Sequence, residues 1–552
     1  MSDILEIPVL IAGGGPVGTT LALDLAARGI ASIVLEERLA MPPNPKCNTT
    51  NARSMEHFRR LGCADTIRKV GLPLDRPTDV VYATRWVGKE FTRYRLRSSG
   101  DVLTQRPDTA AIDAYWPTPE PQHRVSQLAM EPVVRAHLRQ FPHCDYREGW
   151  RFLSFTQDAG FVECLVEECA SGVEHRIRCR YLVSCEGAHS RVRRALEVNF
   201  EGRECISKFC TTYLRTPDLN RRWPHQPAWM HRIYNADGES HIIAIDGKDL
   251  WLHHSVLGPD GDLDAHDHRP AIKHAFGADI AYEVLGQERW IARALVAERY
   301  RSGRVFLCGD SAHVWIPMGG FGMNAGIEDA VNLAWKLWAT LGGWGSSSLL
   351  DSYEAERRSI GQLVAGSAAK IFEDLYRIPV QDPLIEADGP AADARRAEIG
   401  ALITQHNLAE FDSIGMQLGV AYLESPIICY DGATLPPFAI NHYAESSCPG
   451  VRAPHFWRAP GRALFDDFGP GFTLLRIGAQ APAADSLSAA FATRGVPLKV
   501  LNLDEPVAHE KYQGYPLVLI RPDQHIAWRA MTAPEDALAV VNTVTAFAHH
   551  TN

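Results

Sequence analysis

The chain has 552 residues, more than one hydrophobic core usually supports, so two or three domains are expected. Hydrophobic residues make up 46% and charged residues 22%, the balance of an ordinary globular enzyme and not of a disordered or fibrous chain. A formal net charge of −10 gives no reason to expect nucleic acid or an anionic membrane as a partner. The twelve cysteines, scattered from Cys47 to Cys448, contain no C-x-x-C pair, which argues against a metal site or a dithiol redox centre. The first strand pattern begins within ten residues of the start, so no secretory signal is expected, and no apolar run is long enough to span a bilayer. The expected compartment is a reducing cytoplasm, with the thiols as core filler.

In chain order, an apolar run at 7–11 leads into Gly13-Gly14-Gly15-Pro16-Val17-Gly18. Residues 19–29 read as a helix stopped by Gly29, and 33–35 as the next strand. This is a β-α-β unit with Glu36 at the tip of its second strand. Gly13, Gly15 and Gly18 fit G-x-G-x-x-G: a tight turn, a close approach for a pyrophosphate, and close packing of helix on strand. Phosphates would sit on the free N–H groups after Pro16 and Val17, and Glu36 would accept hydrogen bonds from ribose hydroxyls.

Residues 75–125 and 205–300 lack helical periodicity and read as strands, with 229–234 and 241–246 the clearest. Between these stretches 131–135 opens a helix, and 181–185 is a buried strand. The chain leaves the cofactor domain and returns to it twice, the pattern of an inserted sheet. A strand at 301–310, a helix at 326–341, a flexible break at 342–348 and a linker at 388–390 follow. After Pro449-Gly450, strands at 472–477, 498–503 and 517–520 begin a third domain.

The second glycine segment is Gly309-Asp310, running on to Pro317, Gly320 and Gly322-Met323-Asn324. It resembles the second flavin motif of the single-component FAD-dependent aromatic hydroxylases, the family typified by p-hydroxybenzoate hydroxylase. Glu186-Gly187, continuing to Arg193, resembles that family's Asp-Gly segment, with Glu in place of the usual Asp. Lys46 stands where the family usually has an arginine that reaches the flavin phosphates, and keeps the charge without the fork. Gln127 resembles the family glutamine at the ribityl chain. Residues 415–422, 425–427 and 519–529 resemble the phenol and chlorophenol hydroxylase branch, which carries a C-terminal thioredoxin-like domain. With no cysteine after Cys448, that domain is expected to pack and dimerise, not to exchange thiols.

The resemblance implies an α/β fold: a Rossmann-like FAD-binding domain at 1–75, 126–204 and 296–385, and an inserted β-sheet substrate domain at 76–125 and 205–295. A helical linker at 386–449 and a thioredoxin-like domain at 450–552 complete it. It implies FAD as cofactor, with NADPH or NADH as transient reductant, and an aromatic substrate plus molecular oxygen as partners of a monomer or homodimer. The cofactor set is then Gly13, Gly15, Pro16, Val17, Gly18, Glu36, Glu37, Arg38, Lys46, Gln127, Glu186, Gly187, Asp310, Pro317, Gly320, Gly322, Met323 and Asn324. Asp310 is implied at a ribityl hydroxyl, the backbone at Met323 and Asn324 at the pyrimidine oxygens, and Pro317 near the reactive edge. Arg53 reads as either a ligand or half of an ion pair.

The family chemistry is hydroxylation of a phenolic or polycyclic aromatic ring by a flavin C4a-hydroperoxide. A phenol must lose its proton, so a base or an acceptor is expected in the pocket. The candidates are His231, Tyr234 and His254 on the inserted sheet, with Asn48 and Pro317 beside the flavin; His253 and Tyr213 stay open. Strand parity puts His231 with Ile233, opposite Arg232 and Tyr234, and leaves open which face meets the flavin. Baeyer–Villiger oxygen insertion and a non-oxygenating FAD protein are the alternatives. A halogenase is disfavoured, because Trp315-Ile316-Pro317 is only a fragment of the W-x-W-x-I-P signature.

Overall fold

The apolar run Leu5–Ala12 forms the centre of an eight-stranded sheet in the computed structural model, which describes residues 4–104, 111–113 and 116–547. The remaining positions of the expected domains lie outside the described residues. This strand pairs in parallel with Ser32–Glu36 on one side and Val173–Ser184 on the other. Cys144–Glu148 and Val305–Leu307 extend the parallel core outward. At its centre the strands are continuous apolar runs without alternation, as in 9–12, 33–35, 181–183 and 305–307. The Pro16–Ala27 helix starts earlier than the hydrophobic pattern indicates, because proline's fixed φ and missing N–H suit a first helical position. The helix expected at 326–341 likewise begins sooner, as Phe321–Leu341.

A second eight-stranded sheet runs in the order His313–Trp315, Glu283–Ala297, Phe200–Arg215, Leu250–Gly258, Gly238–Ala244, Met230–Asn235, Val80–Ala83, Glu90–Tyr94. It is antiparallel except where Met230–Asn235 meets Val80–Ala83. It takes in more of the chain than the inserted stretch read from sequence, from Phe200 on an interior strand to Trp315 on an edge strand. The helix Pro390–Phe411 roofs one end of one face: Tyr94 Oη donates to the Ile403 carbonyl at 2.8 Å and Tyr82 Oη to Asn407. The helix His268–Phe276 packs on the opposite face, where the Ala275 carbonyl accepts from the Trp86 N–H at 2.8 Å.

The C-terminal sheet has the order Leu498–Leu503, Phe472–Ile477, Leu517–Ile520, Ile526–Ala530, with its first pair parallel and the others antiparallel. The unit is thioredoxin-like. It docks on the cofactor-side helices through buried ion pairs. Glu56 accepts from Arg53 at 2.7 Å and from Arg452 Nε at 3.0 Å. Glu356 accepts from Arg521 at 2.5 Å and from Lys336 at 2.6 Å. Arg53 also reaches Gln524 Oε1 at 2.6 Å, so it serves as an ion pair and an interdomain tie. Among the described residues no helix is long and apolar enough to cross a membrane.

Burial alone would raise both glutamates. The arginines beside Glu56 and the Arg521–Lys336 pair beside Glu356 outweigh it, holding each at about 2 instead of the ordinary 4.5. The folded values lie below the unfolded ones, so their stabilisation is complete above pH 4.5 and is lost as pH falls toward about 2. Each contributes on the order of 3 kcal/mol. Urea midpoints should therefore fall steeply across that acid window. Glu56→Gln should flatten the fall and lower the neutral-pH midpoint, since it leaves Arg452 buried without its counter-charge.

Candidate active site

The two glycine segments meet at Val17. A Cβ on Gly326 would lie 2.6 Å from Val17 Cγ2, and one on Gly309 would lie 3.0 Å from it, so the helices Pro16–Ala27 and Phe321–Leu341 cross at close range only because glycine is there. Gly13, at φ +105°, turns against the neighbouring strand end, where a Cβ would stand 2.2 Å from the Cys185 carbonyl oxygen. Gly18 packs on the Gly13 carbonyl, and Gly15 faces open space. Both helices start at a glycine N-cap with no side-chain cap, Gly15 and Gly320, so their first N–H groups stay free for an anion or a carbonyl. The free groups include those of Val17 in one helix and of Gly322 and Met323 in the other.

Asp310 follows the parallel strand Val305–Leu307. Its carboxyl opens into the cleft between these helix ends, and the surrounding protein raises it above the ordinary carboxylate value by desolvation. A buried hub fixes its loop. Asp329 accepts from the Gly309 N–H at 3.1 Å, from His313 Nε2 at 2.8 Å and from Arg357 Nε at 2.6 Å. Burial raises Asp329, but Arg357 and His313 outweigh it and hold the carboxyl below its usual range.

Around the cleft, Glu36 accepts from the Gly14 N–H at 3.1 Å and from Arg38 Nε at 2.8 Å. Glu37 lies on the rim, paired with Arg151 and Arg191. The Gln127 N–H donates to the Cys47 carbonyl at 2.8 Å while its side chain donates to Glu131. Glu186 is engaged by its own helix start, accepting from Ser190 Oγ at 2.9 Å and the Val192 N–H at 3.0 Å, and the Gly187 carbonyl faces Ser311 Oγ. Asn324 clamps the opposite loop: its Oδ1 accepts from the Asn51 N–H at 2.9 Å and its Nδ2 donates to the Thr49 carbonyl at 3.0 Å. Asn48 lies on that loop against Thr49 Oγ1. Pro317 is exposed to the cleft. These donors and the open carboxylate suit a flavin dinucleotide, whose phosphates one helix start would hold, whose pyrimidine carbonyls the other would hold, and whose ribityl hydroxyls Asp310 would accept from.

Lys46 reaches across the cleft to Glu288 of the second sheet at 3.6 Å, and this contact identifies the sheet's cleft face. Glu288, Thr211, His254, His241, Arg232 and Tyr82 are successive cross-strand partners, a polar row spanning that face. The helix Pro390–Phe411 closes the far end, where Glu410 takes Arg232 in a two-point grip at 2.6 and 2.7 Å. The near end stays open. There His254 Nδ1 meets Thr211 Oγ1 at 2.7 Å, and Trp290 Nε1 donates to the same hydroxyl at 2.8 Å.

The row corrects two of the expected catalytic positions. His231 pairs with Ile242 on the reverse face, wedged 4.3 Å from the Trp86 ring and 4.5 Å from Trp223, so it does not meet the cleft. Tyr234 is on the cleft side but fully buried, stacked on Tyr82 and bonded to Glu239 at 3.2 Å, which takes it out of reach of a ligand. Parity separated the two correctly; what it lacked was the position of the roofing helix. His253 shares the reverse face with His231. Tyr213 lies on the cleft side, nearly buried. Asp329 and Thr49, which hold the two loops in place, carry no local signature in the sequence.

Fold and site together define a flavoprotein. The chain matches the family model "FAD binding domain" over residues 6–368 and "Aromatic-ring hydroxylase, C-terminal" over 446–546. The FAD-dependent monooxygenase apdD of Emericella nidulans is 30% identical, the alignment covering 98% of this chain and 90% of that one. Among solved structures, chromopyrrolic acid-soaked RebC with bound 7-carboxy-K252c superposes with a TM-score of 0.90 at 33% identity, covering 99% of this chain and 100% of that one. A ternary complex of aklavinone-11 hydroxylase with FAD and aklavinone gives 0.80 at 27% identity, again over 99% and 100%. The chain belongs to the FAD-dependent aromatic-ring hydroxylases and is an aromatic monooxygenase.

Asp310→Ala should weaken FAD binding about ten- to a hundred-fold, the range for losing a hydrogen bond to a charged group. Flavin content after dialysis checks this, and full retention would remove Asp310 from the site.

Proposed function

We propose that this chain hydroxylates a phenolic or polycyclic aromatic substrate with molecular oxygen, using NADPH or NADH as reductant, in the cytoplasm and as a monomer or homodimer. The observation that carries the reading is the open polar stretch Glu288–Thr211–His254 facing Lys46 across a cleft rimmed by the glycine helix starts. The named relatives support it, among them 2,4-dichlorophenol 6-monooxygenase of Cupriavidus pinatubonensis and a polyketide hydroxylase of Streptomyces halstedii. The twelve free cysteines fit a reducing compartment.

FAD held here would take up hydride and activate oxygen toward an electron-rich ring. The chain itself shapes the ring's surroundings. Burial, with His241 and Arg232 adding to it, pulls His254 down to about 3, so its imidazole is neutral at neutral pH. With Nδ1 committed to Thr211, Nε2 is the atom left to hydrogen-bond a phenolic hydroxyl and orient it. Phe209 and Trp290, stacked at 4.3 Å, form an apolar wall beside it that excludes water.

NADPH consumption should rise several-fold with phenols and track oxygenated product; a flavin-loaded protein indifferent to a broad panel of phenols and ketones would sink the reading. Lys46→Ala should slow flavin reduction more than oxygen transfer, and stopped-flow traces of the two half-reactions check this. His254→Ala should raise KM or release hydrogen peroxide in place of product, whereas tight coupling in that variant would remove His254 from the substrate site.

A further inference from the structure

Among the described residues Arg124 is a buried cation without a counter-ion. It is 5% exposed, and among the described residues no carboxylate comes within ion-pair distance of it. The other arginines that the fold buries this deeply, Arg53, Arg68, Arg97, Arg232, Arg357, Arg396, Arg452, Arg521 and Arg529, each have one. The nearest acids are already taken: Asp113 accepts from the Arg97 N–H at 3.0 Å, and Glu410 holds Arg232. Among the described residues the Arg124 guanidinium makes one hydrogen bond, from Nη1 to Thr49 Oγ1 at 2.6 Å, and its carbon lies 3.8 Å from the Trp229 ring centroid. Nε is buried with no acceptor, and Nη2 donates to nothing among the described residues.

Its place gives the missing charge a source. Thr49, which anchors it, is the residue whose carbonyl Asn324 clamps, and a Cβ on Gly320 would sit 3.2 Å from Thr49 Cβ. Arg124 therefore borders the start of the Phe321–Leu341 helix, which would receive the flavin's pyrimidine end. Trp229, its other neighbour, leads directly into the strand Met230–Asn235 of the second sheet. The guanidinium stands where cofactor cleft and substrate sheet join. A buried charge left unpaired is strongly unfavourable, and stacking on an indole offsets only part of that.

We propose that Arg124 anchors an anionic oxygen group, a carboxylate or an ionised phenol, on the aromatic substrate. The inference rests on the hydroxylase reading and narrows its substrate class to aromatic anions. Arginine suits the task because its charge is permanent and its uncommitted Nη2 can donate a charge-assisted hydrogen bond to such a group.

The test titrates FAD-loaded protein with hydroxybenzoates and hydroxynaphthoates against their carboxamides, and with para-nitrophenolate against para-nitroanisole, following the flavin absorbance band. At least one anion class should bind about tenfold or more tightly than its neutral counterpart. Arg124→Gln should bring that ratio close to one with flavin content unchanged, and Arg124→Lys should restore part of it. If the glutamine variant does not fold, the lysine variant decides, by an intermediate ratio. Equal binding of anions and neutrals, no binding by any anion tested, or a preference that survives Arg124→Gln would overturn the proposal. So would loss of flavin from a folded Arg124→Gln, since the cation then serves the cofactor. A wild-type chain that takes up no FAD defeats the hydroxylase reading itself; a yellow chain without anion preference defeats only this inference.

Discussion

The buried carboxylate of Asp329 is the constraint on which the site's geometry depends. It satisfies the backbone of Gly309, the ring of His313 and the guanidinium of Arg357 at once. Those groups belong to a strand end, the edge of the second sheet and the long helix Asp351–Tyr376. One side chain thereby sets the height of the Asp310 loop above the sheet and the angle at which the Phe321–Leu341 helix presents its free N–H groups. A hydrogen bond to a charged group in a dry interior is strong, and an unpaired member would be severely penalised, so the arrangement is all-or-none.

Around that hub the molecule divides its polar groups into the satisfied and the open. Arg232 with Glu410, Tyr82 with Asn407, and Glu186 with its helix start are closed circuits that hold the walls in place. Asp310, Lys46 and the Nε2 side of His254 stay accessible around one cleft. Preorganised walls with a few uncommitted polar atoms are what a ligand site requires, because the chain undergoes little reorganisation on binding.

How much of this was legible in the sequence follows from how local each cause is. Gly13 and Gly18 could be read because a steric demand within one turn admits a single residue type. The C-terminal strands at 472–477, 498–503 and 517–520 were legible because β-branched and leucine runs between turn residues have few other uses. Asp310 was readable only through resemblance. The choice between His231 and His254 was not readable at all, since alternation assigns residues to faces without saying which face a helix from 390–411 will roof. Arg124 was invisible for a similar reason: its distinction is the lack of a partner, a property of the whole tertiary environment.

The C-terminal unit looks like a separate piece by sheet order, yet Glu56 and Glu356 take their counter-charges from it across the junction. Detaching that unit would leave Glu56 with Arg53 alone and Glu356 with Lys336 alone, and would take from Arg452 its one carboxylate partner among the described residues. The boundary drawn by sequence composition is thus a boundary of sheet topology that buried charges cross: the cofactor half and the last hundred or so residues share one set of ion pairs.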